Sequence, residues 1–156
     1  MTAHTDAFEN KQIDFLFRGQ ALGLANATAA AGTGPSKWYV GLFTAAGSDA
    51  TPGAEVSGNG YVRVAYDCTL ANWAGTQGAG STTVSTGSSG TTSNNNPITF
   101  PAPTGPWGQV VEWGIFDSST GGTECIRAQL GAPKTINLGD PAPSFAAGML
   151  TYQNDN

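Results

Sequence analysis

The apolar residues near the start of the chain recur at helical spacing. Within residues 6–24, Ile13, Leu16 and Phe17 lie on one face of a helix, with Phe8 one turn earlier. Charged and amide side chains occupy the positions between Phe8 and Ile13. The pattern predicts one short amphipathic helix whose apolar face must be covered.

Both ends of this helix carry recognisable signals. Asp6 suits a cap of the first turn, and Glu9, three residues on, suits the return contact to the cap amide. Gly19 suits a left-handed helix end. Residues 27–36, most of which are small, are expected to form a flexible linker after the helix.

From residue 37 onward, short apolar runs alternate with clusters of Gly, Pro, Asn, Asp and Ser, which is typical of a β-sandwich or barrel. We predict an all-β fold, a jelly-roll-like β-sandwich over residues 37–156, preceded by a helix and linker arm over residues 1–36. About eight strands are expected, at 37–44, 60–70, 81–86, 97–100, 108–117, 124–130, 135–138 and 144–152.

The run WYVGLFT at residues 38–44 predicts a strand that is covered on both faces. Trp38, Val40 and Leu42 alternate with Tyr39 and Phe43, so each face of the strand carries large apolar groups. One face can pack on an opposite sheet. The other is expected to lie against the helix or a neighbouring subunit.

Three apolar segments contain an internal glycine, at Gly41, Gly114 and Gly148. A glycine inside a strand marks a bulge or the close approach of another group. We therefore expect these segments to form one curved sheet.

Residues 75–96 contain a single valine among Gly, Ser, Thr and Asn. So little of this tract can be buried by apolar contact that an exposed hairpin or mobile loop is expected. A surface loop of this kind is also a place where recognition can occur.

Composition narrows the range of functions. Only 11% of the residues are charged, and the net charge is −5 with 6 basic residues. No basic patch is available to neutralise phosphates, so neither nucleic acid nor an anionic membrane is an expected partner. No apolar run approaches the roughly 18 residues that span a bilayer, and we expect a soluble, unexported chain.

Few residues in the chain are candidates for catalysis. His4 is the only histidine, which excludes Ser-His-Asp and Cys-His nucleophiles and the usual zinc sites. Glu112, Asp117 and Glu124 are the remaining candidates, as a carboxylate pair for glycoside hydrolysis. Solvated strand and turn carboxylates are favoured over that alternative. We expect no enzyme activity, no cofactor and no metal.

The two cysteines, Cys68 and Cys125, are far apart in sequence and form no CxxC motif. Two buried free thiols are favoured, with a disulfide as the alternative.

The tryptophans have two interpretations. Trp73 and Trp107, with the tract at 75–96, are candidates for stacking against a host glycan in a carbohydrate-binding module. The other interpretation is that these rings form the hydrophobic core, because a domain so rich in Gly, Ser and Thr has few other large apolar side chains.

Seven segments resemble, in order, a family of small tailed-bacteriophage virion proteins commonly labelled phage tail fibre proteins. The likeness covers most of the chain but omits the first and last few residues and residues 68–96. This chain departs from the family in its long polar insertion and in PAPSF at 141–145. The segments are FENKQIDFLFRGQ, WYVGLFTAA, EVSGNGYVRVA, ITFPAPTGPWGQVVEWGIFD, a following TGG, PKTINLGD and SFAAGMLT.

The resemblance implies a non-enzymatic virion protein and brings no catalytic residues. We expect an accessory subunit that decorates or cements the capsid, with a tail or tail-fibre component, including a fibre-attachment adaptor, as the alternative. Its expected partners are the major capsid protein or tail proteins and further copies of itself in a symmetric oligomer. The residues expected to contact partners are Phe8, Ile13, Leu16, Phe17, Tyr39 and Phe43.

Overall fold

The computed structural model describes residues 4–24 and 34–154. This part of the chain is mainly β, with antiparallel sheets and one N-terminal helix, which confirms the predicted class and is consistent with an all-β sandwich. Within it, no helix is both long and apolar enough to cross a membrane. The elements are α1 (Asp6–Arg18), β1 (Lys37–Ala45), β2 (Ala54–Glu55), β3 (Val64–Asp67), β4 (Thr91–Ser93), β5 (Ile98–Thr99), β6 (Gly108–Phe116), β7 (Glu124–Ile136), β8 (Ser144–Phe145) and β9 (Thr151–Gln153).

The strand predictions are accurate where apolar and polar residues alternate strongly. They are less accurate in segments where this alternation is weak. β1 and β6 lie where they were expected. The two strands predicted at 124–130 and 135–138 form the single strand β7, and the one predicted at 144–152 is divided into β8 and β9. The strand predicted at 81–86 is wrong, because this segment makes side-chain hydrogen bonds instead of a ladder.

One sheet contains five strands in the order β2-β1-β6-β7, with β3 also paired to β1. β4 pairs with β9, and β5 with β8. In the central pair, Gly41 of β1 stands directly opposite Gly114 of β6. Gly148, the third glycine predicted inside a strand, lies instead in a turn with φ +80°. Jelly-roll topology stays a prediction.

The chain divides into two compact units, and each is described by itself. The first groups the described parts of Met1–Lys37, Asp67–Ile98 and Phe145–Asn156, and the second Trp38–Tyr66 and Thr99–Ser144. The predicted boundary after residue 36 does not coincide with this division, because the helix belongs to the core of the first unit. Most of the predicted linker lies outside the described residues.

The ends of α1 confirm one predicted signal and correct the other. Gly19 ends the helix in the left-handed conformation, with φ 68°. The predicted capping box is wrong, because Thr5 is the N-cap residue and no side chain caps the helix. Glu9 is instead buried, and its Oε2 has no hydrogen-bond partner among the described residues.

The apolar face of α1 is covered by its own chain. Ile13 and Phe17 are both 0% exposed, and the Phe17 ring lies 4.8 Å from that of Trp73 and 4.9 Å from that of Tyr152. Ile13 and Phe17 were predicted to contact a partner, and the structure corrects this: they form the core of the first unit.

The tract at 75–96 is only in part the exposed loop that its composition predicts, since residues 77–80 and 82–84 are exposed but others are buried. Thr76, Thr92 and Asn94 are buried, and β4 lies within the tract. Thr76 Oγ1 donates to Asn10 Oδ1 of the helix at 2.5 Å, and Thr92 Oγ1 donates to the carbonyl of Ala74 at 2.6 Å. Short polar side chains therefore order this tract by hydrogen bonding to helix and backbone groups, where apolar side chains would otherwise pack.

A buried ion pair on the helix also makes hydrogen bonds to this tract. Arg18 Nη1 lies 2.6 Å from Asp14 Oδ1, one helical turn away, and the Arg18 side chain is 0% exposed. Arg18 also donates to the carbonyls of Trp73 at 3.0 Å and Thr83 at 2.5 Å. Asp14 Oδ2 accepts from the amide of Ser85 at 2.8 Å. Both buried charges are thus compensated by each other and by hydrogen bonds to Trp73, Thr83 and Ser85.

We expect Phe17→Ala to lower the free energy of unfolding by about 3–5 kcal/mol, since it removes a fully buried ring and leaves a cavity beside Trp73. Urea denaturation followed by tryptophan fluorescence measures this. Phe8→Ala, on the same helix but half-buried, is the matched control and is expected to cost about 1 kcal/mol. Equal losses in the two variants would contradict the description of Phe17 as a core residue.

Candidate functional site

The glycine pair at the centre of the five-stranded sheet makes room for two aromatic rings. A Cβ atom on Gly41 would lie 2.9 Å from the Phe116 ring, and one on Gly114 would lie 2.9 Å from the Phe43 ring. The two rings stack on each other with centroids 5.9 Å apart. The glycines are therefore required here by the close approach of side chains across the sheet.

Arg63 lies over the Phe116 ring of this stack and joins β2 to the turn that follows β6. Its Cζ lies 3.3 Å from the centroid of the Phe116 ring, a cation–π contact. Its Nε and Nη2 donate to the two oxygens of Glu55 at 2.8 and 2.7 Å, a bidentate pair. Its Nη1 donates to the carbonyls of Ser118 at 2.9 Å and Gly121 at 2.7 Å. The hydrogen bond to Glu55, more than any other contact, raises the pKa of Arg63.

Tyr61 completes the same group of residues. Its hydroxyl donates to Glu55 Oε1 at 2.8 Å and accepts from the amide of Leu42 at 2.9 Å. Its ring meets Trp107 edge-on at 5.4 Å. Burial, more than any charge, raises the pKa of Tyr61 far above its ordinary value, so this hydroxyl keeps its proton and remains a donor.

The three carboxylates that sequence reasoning weighed as catalytic all make contacts within the chain. Glu112, expected to be solvated, is buried, and its Oε2 accepts from the amide of Gly47 at 2.8 Å. Asp117 Oδ1 accepts from the amide of Thr123 at 2.7 Å, which is the local turn bond that was expected.

Glu124 is the least satisfied of the three. Its Oε2 pairs with Arg127 at 2.9 Å, whereas its Oε1 is buried with no partner among the described residues. Burial raises the pKa of Glu124, Arg127 lowers it, and the neighbouring carboxylates of Glu112 and Glu55 raise it.

A cleft of about 320 Å³ opens beside the Arg63 side chain. Its two walls are the segment from β2 to Arg63 and the turn that follows β6. Its lining residues are Glu55, Val56, Ser57, Gly58, Tyr61, Val62, Arg63, Ser119, Thr120 and Gly121.

The first unit has a groove of its own, of about 580 Å³, between the helix and the polar tract. Lys11 at its margin donates to the carbonyl of Gly23 at 2.7 Å, and Val84 is 51% exposed. The lining residues are Ala7, Asn10, Lys11, Asp14, Gln20, Ala21, Val84, Ser85 and Thr86.

The remaining residues predicted to contact partners differ in exposure. Phe8, Leu16 and Tyr39 are half-buried. Phe43 is 2% exposed, so its prediction as a contact is corrected. β1 is covered on both faces, as predicted, but its second face is covered by Phe116, Tyr61 and Glu55 of its own unit, where the helix or a neighbouring subunit was expected.

The two tryptophans predicted to bind a glycan are both core residues. Trp73 is 0% exposed and Trp107 is 5% exposed, and Trp107 Nε1 donates to the carbonyl of Asn59 at 2.9 Å. Stacking on a sugar requires an open ring face, which neither residue has. The prediction that they bind a glycan is therefore corrected, because both rings belong to the hydrophobic core.

Comparison with family models decides what kind of protein this is. A model described as "Podophage GP4 fiber I protein gp80" matches residues 3–153. This chain belongs to that fibre family. A comparison with curated proteins finds no match. The predicted resemblance to phage tail fibre proteins is confirmed, and fibre-family membership implies a virion component with a structural or tail-fibre role.

Sequence reasoning about this fibre-family chain missed the contacts of Arg63. The segment GNGYVRVA carries a signal for these contacts. Gly58 and Asn59 are typical turn residues, and in the structure their φ angles are 71° and 52°. Tyr61 and Arg63 follow at alternate positions and therefore lie on one face. Nothing in the sequence marks Glu55 as the partner of Arg63, because the pair forms only when β2 and the following turn fold together.

The cysteines of this chain are free: Cys68 is buried and Cys125 exposed, so the prediction of two buried thiols holds only for Cys68. Burial, followed by the nearby charge of Asp67, raises the pKa of Cys68 to about 12. Burial also raises the pKa of Cys125, and the carboxylates of Asp117 and Glu124 raise it further.

We expect iodoacetamide to label Cys125 and not Cys68 in the folded protein, and both after denaturation, as measured by mass spectrometry. Because the thiolate reacts and its pKa is raised, labelling of Cys125 should accelerate as the pH rises above neutral. In Cys125→Ser the folded protein should take up no label. Labelling of Cys68 at a similar rate would contradict its buried position.

Proposed function

We propose that this chain is a non-enzymatic structural subunit of the fibre apparatus of a podophage particle. The observation that carries the proposal is the fibre-family match over residues 3–153, which includes segments of both compact units. Glu112, Asp117 and Glu124 support a structural role, since each binds a backbone amide or an arginine of its own chain. The proposed partners are other phage structural proteins and further copies of this chain.

The outer strand of the five-stranded sheet supports contact with such partners. β7 is the last strand in the sheet order, and it pairs with β6 along one side. In its first half, Cys125 and Gln129 are exposed. An outer strand presents unpaired backbone groups to which another protein can bind.

Several features restrict that contact to part of β7. Opposite Val111 of β6, residues 130–133 of β7 form a bulge, since Val110 pairs with Lys134 and Glu112 with Gln129. Pro133 and Lys134 follow in the same stretch. A bulge, a proline and a lysine all oppose strand addition. The register also shifts at Cys125, between the pairs Ile115–Ile126 and Phe116–Glu124, so backbone pairing with a partner is proposed for residues 126–129 of the strand.

Decoration or cementing of the capsid is the alternative role, and it requires the N-terminal helix to contact the capsid. Ile13 and Phe17, expected to bind the capsid, are enclosed in their own unit, and on α1 only Asp6, Ala7 and Lys11 are exposed. A helix with so polar an outer surface is poorly suited to insert into a hydrophobic groove. The fibre apparatus is therefore the preferred location.

Quantitative mass spectrometry of purified virions, with the major capsid protein and the tail proteins as internal standards, tests the proposal. We expect a copy number that matches the fibre and tail proteins and lies far below that of the capsid protein. A copy number equal to that of the capsid protein would instead favour decoration. Absence of the chain from purified virions would contradict a structural role on the particle.

A further inference from the structure

The cleft beside Arg63 has walls that are held in place before any ligand arrives. One wall carries Glu55 and Arg63, and the other is the turn that contains Ser118 and Gly121. Arg63 connects them with two hydrogen bonds to Glu55 and one to each of the two turn carbonyls. A site whose walls are fixed in advance loses little conformational entropy on binding.

The charged groups of the cleft are already neutralised. Both oxygens of Glu55 accept hydrogen bonds from Arg63, and one of them also accepts from Tyr61. All three nitrogens of the Arg63 guanidinium are engaged in hydrogen bonds. Neither an anion nor a cation would find a free counter-charge here, which favours a neutral ligand.

The surface left for a ligand combines hydroxyls with one apolar side chain. Ser57, Ser119 and Thr120 line the cleft and are exposed, and no hydrogen bond among the described residues engages their hydroxyls. Val62, also in the lining, is 58% exposed. Hydroxyls can both donate and accept, and an exposed aliphatic group can cover the C–H face of a sugar ring.

We propose that this cleft is a binding site for a neutral saccharide. Hydrogen bonds to the sugar hydroxyls would come from Ser57, Ser119 and Thr120, and apolar contact from Val62. The site uses neither Trp73 nor Trp107. The proposal goes beyond the structural role and does not depend on the location of the protein on the particle.

Amide chemical shifts of the whole chain, in titrations with glucose, rhamnose and N-acetylglucosamine, test the site. We expect at least one of these sugars to cause saturable shifts confined to residues 55–63 and 118–121. Glucuronate and sulfate, the anionic probes, are expected to cause smaller shifts at these residues or none. No response to any of the neutral sugars, or a stronger response to the anions, would overturn the proposal.

Val62→Lys provides the matching variant, because it changes an exposed residue and leaves Arg63 and Glu55 in place. It should weaken saccharide binding by about tenfold, since it replaces the apolar contact with a charge. Val84→Lys changes a similarly exposed valine of the first unit, 51% exposed against 58%, and should leave binding unchanged. Equal binding by the two variants would place the saccharide outside this cleft and overturn the proposal.

Discussion

The buried pair between Asp14 and Arg18 is the constraint on which the first unit depends. A charge removed from water must be compensated, and this pair is compensated by the tract that follows Trp73. The carbonyl of Thr83 and both the amide and the hydroxyl of Ser85 complete its coordination. The tract, which has almost no apolar residues, thereby adopts a defined conformation, and the helix becomes part of the core of the first unit.

The second unit uses the same arrangement on the face of a sheet. Arg63 lies over the Phe116 ring, is paired with Glu55, and holds the turn at Ser118 by its carbonyl. The paired glycines in β1 and β6 create the space for the aromatic stack beneath it. Each unit is thus organised around one arginine that neutralises a carboxylate and joins segments distant in sequence, so few charged residues suffice in this chain.

The sequence predicted the features that depend on local periodicity. Alternating apolar residues placed β1 and β6, helical spacing placed α1, and Gly19 marked its end. It did not predict the burial of Thr76 and its neighbours, because hydrogen bonds between short polar side chains and a distant helix leave no periodic trace. A contact role was assigned to Ile13 and Phe17 because their cover is also non-local: the Phe17 ring packs against Trp73 and Tyr152, which are distant in sequence. The family was recognisable because its motifs recur in order along the chain.

Hydrogen exchange of the backbone amides in Arg18→Met tests most directly whether the buried pair orders the polar tract. Methionine keeps much of the apolar volume and removes the charge, which leaves Asp14 buried and unpaired. The account predicts faster exchange in residues 75–87 than in the native protein, with exchange in β6 and β7 unchanged. Arg127→Met, which breaks a more exposed pair with Glu124 in the second unit, should leave residues 75–87 protected. Unchanged protection of the tract in Arg18→Met would contradict the account.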